Sequence, residues 1–133
     1  MSRSYEDPPA DQSPGELPED CSAAALFDLL WDNIADVLGA AATAALVRRS
    51  AKHVAQRRPG CEGVKVTREG FTYRYVLPAR WSERADEPVE DLRALVLELI
   101  PLLTELTGPV VVRRIEALAA FRRRGLLQPG AGG

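Results

Sequence analysis

The sequence predicts an α+β fold: two N-terminal helices, a β-hairpin, then two C-terminal helices (helix-helix-hairpin-helix-helix), mostly helical. Three observations carry that prediction. Segments before residue 58 and after residue 88 repeat apolar residues three and four apart, the period of a helix face. Between them, residues 64–77 alternate apolar and polar side chains, the period of a strand. Helix-stopping residues close the helical segments, at Gly39, Pro59-Gly60 and Gly108.

Residues 1–20 stand apart from this pattern. They hold four prolines, six acids (Glu6, Asp7, Asp11, Glu16, Glu19, Asp20) against Arg3, and almost no large apolar residue. Such a segment buries too little to offset the entropy of ordering, and a disordered acidic tail is expected. The domain boundaries follow as 1–20 for the tail, 21–126 for a single α+β domain, and 127–133 for a flexible C-terminal end.

The first helix starts with Asp20 or Ser22 as N-cap and stops at Gly39. Leu26, Phe27, Leu30, Ile34, Val37 and Leu38 fall on one face, and Asp28, Asp32 and Asp36 on the other. The second helix runs to Pro59-Gly60. Its inner face is built of small residues, Ala40, Ala44, Val47, Ala51, Val54 and Ala55, opposite Arg49, Lys52, His53 and Gln56. The short link at Gly39 makes these two helices antiparallel neighbours.

In "GVKVTREGFTYRYVLP", a two-residue turn at Glu69-Gly70 pairs Val66 with Tyr73 and Val64 with Tyr75. That register sets Phe71 and both tyrosines on the valine face. A three-residue loop with Gly70 as a bulge is the alternative. Two strands alone are marginal, so helices or another chain must cover the aromatic face. "PARWSERADEP" then reads as a polar connection.

The third helix is the most apolar, with Val89, Leu92, Val96, Leu99, Leu103 and Leu106 in register and Leu95, Ile100 and Leu102 beside them. Pro101 should kink or break it. After Pro109, Val111, Val112, Ile115, Leu118 and Phe121 or Arg122 continue the helical period. The Val110-Val111-Val112 run leaves a third strand open as an alternative. The core is expected from Leu30, Ile34, Val47, Tyr73, Tyr75, Leu92, Val96, Leu99, Leu103 and Ile115.

The chain of 133 residues has a net charge of only -2, but the charge is segregated. Residues 47–58 carry five Lys or Arg and no acid, and residues 113–124 carry five Arg against Glu116. The tail, at -5, could mask these basic faces until a partner competes.

No signal peptide or apolar run of membrane-spanning length is seen, so a cytoplasmic location is the expectation. Cys21 and Cys61 lack metal or redox spacing and are expected as free thiols. His53, the only histidine, has Arg49 and Gln56 as helical neighbours, neither a nucleophile nor a carboxylate to orient it. An exposed phosphoacceptor role is the competing reading. The Asp28, Asp32, Asp36 ladder cannot converge on one cation and reads as a solvated stripe. No phosphate loop is present. No catalytic residue, cofactor or metal is therefore expected, and the chain is not read as an enzyme.

What remains is a possible docking face, Arg48, Arg49, Lys52, His53, Arg57, Arg113, Arg114 and Arg122. Cations at helix C-termini also suit the macrodipole with no ligand at all. The first expectation is a small regulatory or adaptor module that binds another protein, as a homodimer. A nucleic-acid-associated regulator using 48–58 and 113–124 is the second. A small-ligand sensor with a pocket between the hairpin and the third helix is the third.

Overall fold

The computed structural model describes residues 21–127. The acidic tail, residues 1–20, and residues 128–133 of the C-terminal end lie outside the described residues. The fold is α+β in the expected layout: α1 (Ala23–Leu38), α2 (Ala40–Ala55), β1 (Lys65–Glu69), β2 (Thr72–Val76), α3 (Asp86–Thr107), α4 (Val110–Glu116) and α5 (Ala119–Arg123).

Ser22 caps α1, its Oγ accepting from the Ala25 N–H at 3.2 Å. Gly39 ends α1, donating its N–H to the Ala35 carbonyl. Four contacts set the helix directions. Arg58 meets Asp91 and His53 meets Glu98, so α2 runs antiparallel to α3. Phe27 lies 6.2 Å from Trp81, just before α3, while Asp36 pairs with Arg114, just after it. α1 is thus parallel to α3 and antiparallel to α2, and the start of α1 sits at the same end as the finish of α2.

α3 is central. Leu92, Leu95, Val96, Leu99 and Leu103 are fully buried, as are Leu30, Ile34, Val47 and Ile115 from the other helices. Its apolar face is covered by α1, α2 and α4 of the same chain. Pro101 does not break it: the proline is exposed and the helix continues to Thr107. Leu106 and Val37, expected inside, lie largely at the surface, and Trp31 is buried instead of Val37.

The fourth predicted helix is two. Residues 110–116 are helical, which settles the strand alternative. Leu118 then turns extended (φ -73°, ψ 118°) and starts α5. An unbroken 3.6-residue period from Val111 and Ile115 would aim Arg122 inward. The break rephases the chain, so that Phe121 is fully buried and Arg122 exposed. Arg93 of α3, itself buried, secures this end, donating to the carbonyls of Gly125 (2.9 Å) and Arg124 (3.1 Å) and pairing with Glu90. Leu126 is buried and Leu127 packs on the core.

The hairpin register differs from the expected one. Glu69 pairs with Thr72, Arg68 with Tyr73 and Val66 with Tyr75, so the two-residue turn is Gly70-Phe71. The reason is the first turn position, which needs positive φ in the tight hairpin turns and suits Gly there far better than Glu69. Gly70 supplies φ +65°. The pairing moves by two residues, so the inward parity of Val64, Val66, Tyr73 and Tyr75 survives. Phe71 does not stay on that face; it sits at the tip, 97% exposed.

The "polar connection" hides the largest fully buried side chain. A 3₁₀ turn at Ala79–Ser82 points Trp81 into the core at 0% exposure, against Phe27. No described helix is long and apolar enough to cross a membrane.

Candidate functional site

The docking residues named from sequence are divided by the fold. Arg48, Arg49, Lys52, His53 and Arg57 follow α2 and its end, while Arg113 and Arg114 ride on α4, which packs on α1 and α3. Arg114 is held by Asp36 (2.8 Å) and Asn33 (3.3 Å) of α1. Arg122 on α5 donates to the Glu116 carbonyl at 3.4 Å. The two basic clusters thus have different neighbours.

The α2 cluster forms a ridge with a depression on each side. Toward α3 lies a cavity of about 310 Å³ lined by Arg49, Ser50, Lys52, His53, Gln56, Glu98 and Leu102. Here the sequence reading of His53 is corrected. A carboxylate does meet it, from α3 rather than its own helix: His53 Nδ1 lies 2.6 Å from Glu98 Oε2, and Arg57 Nη2 lies 3.4 Å from Glu98 Oε1. Ser50 lines the same cavity, but its buried Oγ has no hydrogen-bond partner, His53 included. Ser50, His53 and Glu98 therefore do not make a bonded nucleophile and base.

Toward the hairpin lies a larger groove of about 570 Å³ between α2 and β1. Ala51, Ala55, Cys61, Val64 and Val66 form its apolar floor, and Arg48, Lys52, Gln56, Glu62, Lys65 and Thr67 its rim. The cause is local. The small residues of α2 leave depth where larger ones would fill the space beside β1. The rim carries three cations against one acid.

One wall of this groove is a strand edge. Hydrogen-bonded pairs alternate along an antiparallel ladder, starting from Glu69 and Thr72, which close the two-residue turn. The main-chain groups of Thr67 and Lys65 then face β2, and those of Val66 and Arg68 face outward. Arg48 confirms the direction, donating from Nη2 to the Val66 carbonyl at 3.0 Å. Such an edge accepts another extended segment unless something covers it.

The aromatic face of the hairpin is spent on α1. Tyr75 packs on Phe27 (4.9 Å) and Trp31 (4.7 Å), and its hydroxyl donates to Asp28 Oδ1 at 2.6 Å. Burial, then the bond to Asp28, hold that phenol above its ordinary range. Asp28 and Asp36 are thus exposed yet engaged, by Tyr75 and Arg114. The cavity beside the hairpin has α2 as its other wall, not the third helix. Among the described residues no three His, Cys, Asp or Glu side chains are grouped to hold a metal.

Cys21 and Cys61 are both buried and form no disulfide. Burial first, and then the Asp91 carboxylate, push the Cys61 thiol up to about 12, against the opposing pull of Arg58 and Arg57. Its Sγ donates to the Asp91 carbonyl at 3.4 Å. A thiol so held is no nucleophile near neutral pH. It also sets a pH dependence. The folded state keeps Cys61 protonated where the unfolded chain, at 9.0, has ionised, so its contribution is intact below 9.0 and is lost as pH rises toward 12. Tyr75 acts with the same sign. The melting temperature should fall across this range, and Cys61→Ala should make the fall shallower; a parallel profile would refute the assignment.

The sequence signal that could have found the groove was the run of alanines beside the lysine and arginines of α2. What it could not give was the opposite wall. Comparison with known proteins adds no identity: no family model, no curated protein and no solved structure matches the chain.

Proposed function

We propose that this chain is a small cytoplasmic regulatory or adaptor module that acts by binding another protein rather than by catalysis. Its docking surface is the groove between α2 and β1, and its partner supplies an extended, acidic, proline-free segment. The observation that carries this reading is the outward-facing β1 edge beside an apolar floor and a basic rim.

The chemistry of the groove selects the partner. Main-chain hydrogen bonds to Val66 and Arg68 give a strand added at this edge its affinity, and the alternate side chains reach the floor. An incoming N–H takes the Val66 carbonyl from Arg48, and the released guanidinium meets a carboxylate of the partner. A second copy of β1 is a poorer occupant, because it would bring the Lys65 and Arg68 cations of two strands to an edge already lined by Arg48 and Lys52. The basic ridge of α2 does not continue into that of α4, which favours a segment of a few residues over a long nucleic-acid track.

The reading is tested with a fluorescein-labelled heptapeptide alternating Glu and Val, followed by anisotropy. The full chain should bind it, and K52E/K65E should weaken binding about tenfold or more, equivalent to at least about 1.4 kcal/mol. The melting curve should stay close to that of the unaltered chain, since both lysines are exposed. Equal affinity for the two proteins overturns the proposal. Binding of a DNA duplex with a steep salt dependence, and none of the peptide, would move the assignment to nucleic acid.

A further inference from the structure

We infer that residues 1–20 of the same chain occupy the groove between α2 and β1 in the free protein, as a competitor that an incoming partner displaces. This rests on the groove being the docking surface proposed above, and it assigns the regulation of that surface.

The geometry brings the segment to the groove. α1 starts at the end of the molecule where α2 finishes, since both directions are fixed by the contacts to α3 and its flanks. Cys21, the first described residue, therefore lies at the same end of the molecule as Ala55 and Gln56, which line the groove. From Gln56 to Arg48 along α2 is a length of about 12 Å. About four extended residues cover that span. The twenty residues reach it with slack.

Charge supplies the attraction. Six acids against Arg3 give the segment a net -5, and the groove rim presents Arg48, Lys52 and Lys65 against Glu62. Because the two are joined by a short tether, the effective concentration is in the millimolar range, so a contact too weak to detect between separate molecules is populated.

The sequence also makes this occupant replaceable. Pro8, Pro9, Pro14 and Pro18 lack the N–H that a strand ladder needs. Between the prolines the longest stretch, residues 10–13, carries one acid, and the seven residues before Pro8 carry two acids against Arg3, so no proline-free stretch brings more than a small part of the segment's charge to the edge. The segment matches the groove in charge without completing the β1 edge. A proline-free acidic strand gains the main-chain hydrogen bonds as well and wins the exchange. Salt should release the tail well before it releases such a partner.

The test compares the full chain with the full-length variant E6Q/D7N/D11N/E16Q, all four changes lying in the acidic segment. Amide spectra of the two should differ at Val64 to Arg68 and at Lys52 at about 50 mM salt and converge at about 500 mM, where screening is several times shorter in range. The labelled heptapeptide should bind the variant about fivefold more tightly than the unaltered chain at the lower salt. Identical groove resonances in the two proteins at low salt overturn the inference, whatever the peptide does. Failure of the peptide to bind either protein, with the resonance differences present, overturns the partner assignment and leaves the tail on the groove.

Discussion

Trp81→Ala is expected to cost about 3–5 kcal/mol of folding stability, the range for emptying a fully buried aromatic site. The indole is at 0% exposure, and a 3₁₀ turn rather than a long helix or strand delivers it to the core. It meets Phe27, which in turn meets Trp31 and Tyr75, so one aromatic cluster joins α1, β2 and the approach to α3. A domain of this size has total stability of about 5–15 kcal/mol, so the variant should be near its threshold at ambient temperature. The nature of the loss is specific. Trp81 Nε1 has no hydrogen-bond partner, so its contribution is packing alone. Trp81→Phe should therefore recover more than half of the lost stability. Urea unfolding of the three proteins decides it: a loss below about 1 kcal/mol for the alanine variant would show that the turn is not part of the core.

Arg58→Ala is expected to be nearly as damaging, at about 3 kcal/mol, because it leaves a buried carboxylate without its cation. Asp91 is 3% exposed, and Arg58 Nε lies 2.9 Å from its Oδ1, while Oδ2 has no partner. Arg58 is itself partly exposed, which places the cost at the lower end of the range for broken buried pairs. Gly60 belongs to the same arrangement. A Cβ there would fall 1.9 Å from Asp91 Oδ2, so any larger residue at this point has to displace the carboxylate that Arg58 holds. The pair is tested by a double-mutant cycle. Asp91→Asn in the Arg58→Ala background should restore stability, because it removes the stranded charge. If the second change instead adds its own full cost, the two side chains are independent and the pair is not what closes α2 onto α3.

These two positions mark the boundary of what could be read beforehand. Arg58 was visible only as one charge among five in residues 47–58, and Asp91 is one of several charged residues along α3 that the helical period does not tell apart. The same holds for His53, whose carboxylate, Glu98, is 45 residues away. The basic half of the groove was legible, because cations at helical spacing opposite a small-residue face report which side of α2 meets solvent. Its other half was not, because Val64 and Val66 could be assigned an inner face but not a free edge.

The sequence by itself determined the element order, the faces of α1, α2 and α3, and the inward parity of the hairpin. Each of these follows from a local period or a local stop, which needs no knowledge of the rest of the chain. Tertiary structure decided the remainder. It broke the last helix so that Phe121 rather than Arg122 enters the core, while the hairpin register turned on the positive φ that Gly70 supplies at the first turn position. It also drew Trp81 out of a polar stretch. In each case the local pattern left more than one arrangement open, and burial of one large side chain, or one backbone angle, separated them.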